Sequence, residues 1–511
     1  MKKLLSLVLA LVMAFAVCSF AAAESAGTTI ELTRPSFFGD ASEYIDLKTQ
    51  WMEMMTEKYG VNVHVNYLPS SEYTANINKM ISSGALTGLV GIYNTSQVLQ
   101  YKEMGAIEPM TKYLENNETW NNLPQEMREA YLIDGEVWAL PMGDVYNMFT
   151  RTMRKDWLDN LGLEAPTTLD ELYEVSRAFT YDDPDQNSEN DTYGITSSGT
   201  WNLQDIFAAF GVPLLNGGDT SIVFDQELGC WVDSMLKDSM VDCLNYLHKM
   251  YEEGILDPEL FTKRGADMRE TFWSNKAGST FYWIGFSDQS APYLTKIVED
   301  VEFVEIPALT GTATEKVNAV WLSTVPYVLV KGTENAQEMV NKFVDLALGA
   351  QDSHFDFCYG IEGVTYRVEG NTVYYIIDPE TGNAMPKPTL CMAIPEYYDD
   401  WNFLNEGLSE EDTAAALELL NFKKNMVKEG IENGTCYMLT TLQSAPVSET
   451  YTMISADLQT AFGTAVSSAV LGTATAEDAI AEYIEEAKSL GAQNVLDEAN
   501  EFMGLTSQLS Y

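Results

Sequence analysis

Residues Val61–Pro69 read VNVHVNYLP, with Val61, Val63, Val65 and Tyr67 alternating against Asn62, His64 and Asn66. A period of two marks a strand with one apolar face. The stretch before it, Tyr44 to Tyr59, repeats every three to four residues instead, placing Leu47, Trp51, Met54 and Met55 on one helical face before Gly60 stops it. On the other side, Ser71 to Ser83 predicts a second helix and LVGIYN (89–94) a short buried strand. With TIELTRPSF (29–37) as an opening strand, the order is strand, helix, strand, helix, strand. That order specifies an α/β layered domain with a mostly parallel sheet.

The pattern continues along the chain. APTTLDELYEVSRAF (165–179) carries a capping box, Thr168 with Glu171, at the start of a helix. YGITSS (193–198), AGSTFYWIG (277–285), VEFVEIPAL (301–309) and TVPYVLVK (324–331) read as strands. DSMVDCLNYLHKMYEEG (238–254) and NAQEMVNKFVDLAL (335–348) read as helices, and beyond residue 400 the pattern is nearly all helical. No fixed-period repeat and no Pro/Ser/Gly-rich linker separates autonomous units. Lobes that share crossovers, with a cleft between them, are therefore expected.

The first 23 residues predict a secretory signal peptide: Lys2 and Lys3, an apolar run from Leu4 to Val17, and Ala21–Ala23 as the cleavage site. Cys18 offers a competing lipid attachment, although Val17 before it is large for that processing. The expected location is outside the cell, at its surface. With 76 acidic against 29 basic residues the formal charge is −47, which repels nucleic acid and anionic membrane surfaces. Cys230, Cys243, Cys358, Cys391 and Cys436 show neither a disulfide framework nor zinc spacing. No H-E-x-x-H or G-x-S-x-G occurs.

DDPDQNSENDTYGIT (182–196) crowds oxygens into a short loop. Asp183, Asp185, Asn187, Glu189 and Asp191 fall at alternate positions, the spacing of a calcium loop whose oxygens converge at about 2.3–2.6 Å from the ion. Ser188 and Gly194 stand where an EF-hand has glycine and its bidentate glutamate. A solvated acidic turn and a catalytic carboxylate pair are the competing readings; the pair lacks an apolar pocket to separate its pKa values.

The segment from Met153 to Thr196, beginning MRKDWLDNLGLEAPTTLDELYEVSRAF, resembles extracellular solute-binding proteins of bacterial carbohydrate ABC transporters. YLPSSEYTANINKMISSG, MGAIEPMTKYL, IDGEVWALP, LNYLHKMYEEGILDPELFT, NKAGSTFYWIG and YGIEGVTYRV continue the likeness in the family's order, with the flavour of the long alginate-oligosaccharide binders. The resemblance implies a two-lobed periplasmic-binding-protein-like fold of type II. Residues 24–147 and 305–365 would form lobe one; 148–304 and 366–511 would form lobe two with C-terminal helices. It also implies capture of an oligosaccharide by hinge closure, delivery to the permease subunits of an ABC importer, no catalysis, and work as a monomer. Two departures stand out: Ala85-Leu86-Thr87-Gly88 replaces a Pro-Asp pair common in the family, and Thr192 replaces the glutamate that closes the alginate-binder type of calcium loop.

Aromatic faces stack on sugar rings, so Trp283 in AGSTFYWIG ranks first as a ligand platform, against the reading that it packs in the core. Tyr146 falls at the expected first crossover and Trp321 on the expected return. Trp401 lies in an aromatic and acidic cluster, and Tyr93 and Asn94 end a parallel strand, where ligands gather. Arg154 reads equally as a cleft or a structural arginine. A binding protein for peptide or another small solute, and a secreted carbohydrate-active enzyme using two of the many carboxylates, are the alternative functions.

Overall fold

The computed structural model describes residues 27–36, 45–69, 72–92, 95–123, 125–141, 147–214, 220–306, 309–310, 318–321, 326–379, 382, 384–385, 387–388, 401–432, 436–439, 443 and 445–511. The signal segment with Cys18, as well as Tyr93, Asn94, Tyr146 and the Trp321 side chain, lies outside the described residues.

Strand β1 (Thr28–Ser36), helix α1 (Ile45–Tyr59), β2 (Val61–Pro69), α2 (Tyr73–Ser82), β3 (Leu89–Gly91) and β4 (Ile107–Glu108) follow the expected order. Then come β5 (Asn147–Arg154), α3 (Leu169–Tyr181), β6 (Tyr193–Ile195), α4 (Gln204–Ala209), α5 (Met240–Glu252), α6 (Gly265–Trp273), β7 (Ala277–Trp283) and α7 (Phe286–Leu294). Strands β8 (Phe303–Ile306), β9 (Asn318–Trp321) and β10 (Tyr327–Val330) precede α8 (Ala336–Ala347) and α9 (Gln351–Tyr359). The rest is β11 (Tyr366–Glu369), β12 (Thr372–Tyr375), β13 (Asn402–Asn405), α10 (Glu410–Glu432), β14 (Cys436–Leu439), α11 (Glu449–Val470), α12 (Ala476–Leu490) and α13 (Ala492–Phe502).

Two main sheets result. The first has the order β2-β1-β3-β10-β4, with β1 parallel to β2 and β3, and β10 antiparallel to β3 and β4. The second runs β14-β9-β5-β7-β6, with β8 also paired to β5. A smaller sheet, β11-β12-β13, sits beside the first through Tyr366, Val373 and Phe403. The apolar side chains segregate accordingly. Ile30, Leu32, Trp51, Met55 and Val63 join Phe343 and Phe357 in one core; Met153, Trp157, Phe179, Leu247, Phe462 and Val495 form another. Each main sheet is thus packed in apolar clusters of its own, and the chain passes from one sheet to the other more than once, which makes the fold a two-lobed α/β architecture.

The capping box is real: the Thr168 hydroxyl accepts from the Glu171 N–H, and the Glu171 carboxylate accepts from the Thr168 N–H. Beyond residue 400 the described residues are mostly helical, and β13 and β14 are four-residue strands too short for periodicity to reveal. Pairing also assigns residues 303–306 and 318–321 to the second sheet, so the chain rejoins the first sheet at Tyr327. Cys230, Cys243 and Cys358 are buried free thiols. Among the described residues no helix is long and apolar enough to cross a membrane.

Candidate functional site

The crossings share one edge. Leu140 and Tyr327 exchange backbone hydrogen bonds of 2.9 Å, and Tyr327 pairs with Gly91, the last residue of β3. The described chain leaves that row at Pro141 and resumes at Asn147, where β5 begins and pairs with Trp321, the last residue of β9. The first passage therefore starts at Pro141, beside the carboxyl end of β3, and leads to the start of β5; the second leads from the carboxyl end of β9 to the start of β10. In open α/β sheets, ligands collect at the carboxyl ends of strands.

At that edge of the second sheet stands Trp283, the end of β7, opposite Phe149. Phe281 and Tyr282 are buried at 4% and 7% exposure, whereas Trp283 is 41% exposed. Its indole lies over Gly285, where an added Cβ would come within 1.9 Å of the ring. Glycine is what leaves room for it there. Next to Trp283 in the chain, Tyr282 meets Trp201 edge-on at 5.1 Å, and Trp201 lies 6.4 Å from Phe149. The Arg269 guanidinium donates to the Tyr282 hydroxyl at 3.1 Å. An exposed indole and a largely buried aromatic cluster thus stand at the crossing edge.

Buried polar bonds hold it in place. Arg151, on β5 and fully buried, donates two bonds of 2.7 Å to the Asp205 carboxylate on α4. Asn202 donates to the Phe281 carbonyl at 2.8 Å and accepts from the Ser198 N–H at 2.9 Å, tying the Trp201 turn to β7. Thr150 and Thr152 donate to Glu305 at 2.7 and 2.9 Å. Arg154 is structural: it is fully buried, bonded to Asp156 and Asn275, and its guanidinium stacks 4.8 Å from the Trp157 ring.

The sequence-derived candidates separate. Trp401 belongs to the first core, with its ring 5.1 Å from Phe355, so it lies on the lobe opposite Trp283. Trp321 is at the crossing edge by its backbone pairing. Trp201 went unnoticed in the sequence because it occupies a turn without periodicity. Its position just after β6 was the available signal, by the strand-end argument applied to Tyr93 and Asn94.

The acidic loop closes on itself. Asp183, Gln186 and Ser188 take left-handed backbone angles of 50°, 56° and 64°. The Ser188 N–H donates to both Asp183 carboxylate oxygens at 3.1 and 3.2 Å. Asn187 donates to Asp185 at 3.1 Å and to Asp191 at 3.4 Å, while its own oxygen accepts from the Glu189 N–H at 2.6 Å. Asn275 donates to Asp185 at 2.9 Å and Lys276 holds Asp191. The second Asp185 oxygen, Oδ1, is buried and has no hydrogen-bond partner. Burial raises the Asp185 pKa, with the charges of Asp191 and Asp183 adding to it; the Lys276 ammonium lowers that of Asp191. Among the described residues no three His, Cys, Asp or Glu side chains are grouped closely enough to hold a metal by themselves. A cation here would also need the Asn187 oxygen and backbone carbonyls.

Comparison with known proteins gives a consistent result. Over 321 residues the chain is 25% identical to the polygalacturonan/rhamnogalacturonan-binding protein YtcQ of Bacillus subtilis (strain 168), covering 59% of this chain and 60% of that one. Other curated relatives are matched over about half their length or less. The fold is similar to the Streptococcus pneumoniae ABC-transporter substrate-binding protein FusA in complex with kestose, with a TM-score of 0.65, 18% identity, and coverage of 93% of this chain and 99% of that one. Alginate-binding protein AlgQ2 without calcium ion matches with a TM-score of 0.63 and 18% identity, over 93% of this chain and 98% of that one. The family model for bacterial extracellular solute-binding protein matches residues 41–353, more than half of the sequence. The chain belongs to the bacterial extracellular solute-binding protein family.

Proposed function

We propose that the protein is the extracellular substrate-binding component of an ABC importer, closing its lobes on an oligosaccharide and handing it to the permease without chemical change. The carrying observation is Trp283, exposed at the end of β7 and paired with Phe149, at the edge of the second sheet from which the chain passes to the first. Sugars present few charges, so affinity comes from stacked aromatic faces and from surrounding the ligand. The ligands named for these relatives, polygalacturonan/rhamnogalacturonan for YtcQ and kestose for FusA, support an oligosaccharide. Tyr93, Asn94, Tyr146 and Trp321 join this proposed cleft by their places in the sequence, and Trp401 belongs to it only through lobe closure. We divide the lobes at the crossings: residues 27–141 with 326–405 in one, 147–321 with 436–511 in the other.

We also propose a structural calcium site at Asp183, Asp185, Asn187, Glu189 and Asp191. The buried, unpartnered Asp185 oxygen supports it, because such an acceptor is stabilised by a cation. Calcium would neutralise the crowded carboxylates and displace Lys276 from Asp191; it would stiffen the second lobe rather than touch the ligand. The test of function is a thermal-shift panel of oligosaccharides: a ligand that binds only the folded form raises the midpoint. A panel without any shift, or turnover of chromogenic glycosides, contradicts the reading.

A further inference from the structure

Two residues after Trp283, Gly285 caps the start of α7 with φ −89° and ψ 6°. Ordinary L-residues adopt those angles in turns, so the backbone there does not call for glycine. Space calls for it instead. The three atoms nearest an added Cβ all belong to the six-membered ring of Trp283, at 1.9, 2.2 and 2.7 Å. Carbon atoms not bonded to each other keep about 3.5–4.0 Å apart, so a side chain at 285 and the indole in its present place exclude one another. Gly285 is buried, although the indole laid against it is largely open to solvent.

Which of the two would yield follows from what holds each. The Gly285 carbonyl accepts from the Gln289 N–H at 3.2 Å in the first turn of α7. The next residue, Phe286, is fully buried, with its ring 4.8 Å from Tyr282 and 5.3 Å from Phe272. The backbone is therefore clamped, whereas the exposed indole can turn outwards into another rotamer. Gly278 is the contrast. A Cβ there would meet the Phe179 ring at 2.1 Å, and Phe179 is fully buried with no room to leave. Crowding in a packed core costs stability; crowding beneath an exposed ring moves the ring.

We propose that Gly285 is a positioning residue for ligand capture: by lacking a side chain it lets the Trp283 indole lie back against the start of α7, set in advance to receive a sugar ring. The inference rests on the reading of Trp283 as the sugar platform and adds the residue that fixes its pose. A ring already in place surrenders less rotamer freedom when the ligand arrives.

Calorimetric titration and ligand-free melting of Gly285→Ala, Trp283→Ala, their double variant and Gly278→Ala test it. The probe is the member of a panel of fructo-, gluco-, manno- and galacturono-oligosaccharides that binds the unaltered protein most tightly. Gly285→Ala should weaken binding about 10-fold, most of what Trp283→Ala loses. Its melting temperature should hold or rise, because alanine at angles it tolerates narrows the unfolded ensemble. Gly278→Ala should lower the melting temperature instead. The double variant should bind as weakly as Trp283→Ala alone, since the glycine acts only through the ring. Full affinity in Gly285→Ala, a lowered melting temperature in that variant, or additive losses in the double variant overturns the positioning role while leaving the platform standing. Unaltered affinity in Trp283→Ala overturns platform and inference together but spares the importer reading; no binding by any member of the panel counts against all three.

Discussion

Replacing Asp205 with alanine should destabilise the second lobe selectively. Arg151 is fully buried, and Asp205 takes two of its donors at 2.7 Å, leaving only the Ser279 hydroxyl at 3.3 Å once removed. Deleting one partner of a buried ion pair strands the other charge, at a cost of about 3–5 kcal/mol. With a urea dependence of about 3 kcal/mol per molar, the midpoint falls by about 1–1.7 M. Urea titration read by hydrogen exchange in each lobe is the assay, because a single melting curve averages two cores. Peptides from α5 and β7 should lose protection early, while those from α8 keep theirs. The double variant Arg151→Met with Asp205→Leu should recover most of the loss, since matched apolar residues replace buried pairs at little cost. A loss below about 1 kcal/mol, or equal loss in both lobes, refutes the view that this pair anchors the Trp201 turn.

Other expectations are as direct. Trp283→Ala and Trp201→Ala should each weaken oligosaccharide binding by about 2 kcal/mol, some 30-fold, by titration, with ligand-free melting little changed for the exposed Trp283. Calcium at about 100 times its Kd should add about 2.7 kcal/mol to second-lobe stability, and Asp185→Asn should remove most of that gain. Without the ion, the raised Asp185 pKa means that its contribution is full at low pH and is lost as pH rises above the usual carboxylate range. His354 titrates in the opposite sense: burial lowers it to about 4 from 6.5, so first-lobe stability is full above pH 6.5 and falls by about 3 kcal/mol as pH drops towards 4. Denaturation midpoints of His354→Gln should be flatter across that window.

Local periodicity made the first lobe legible. The alternation at Val61 to Tyr67 and the stripe from Leu47 to Met55 each encode an element within a few neighbours, and both elements formed. The Thr168 cap is equally local. The acidic loop announced its spacing too, but not that a single Asp185 oxygen would be stranded under Asn275, ninety residues away. Long-range pairings left no such trace. Four residues at Cys436–Leu439 join the second sheet only because β9 offers an edge, and Arg151 finds Asp205 across folded space. The exposure of Trp283 beside two buried aromatics depends on where β7 ends, a boundary that composition does not mark.

Small-angle X-ray scattering with and without an oligosaccharide that shifts the melting point tests hinge closure most directly. The radius of gyration should fall as ligand saturates the protein, and Trp283→Ala should shift that transition to higher concentrations. A scattering curve that stays constant at saturation would contradict the account, because a ligand bound without drawing the lobes together is not held between them.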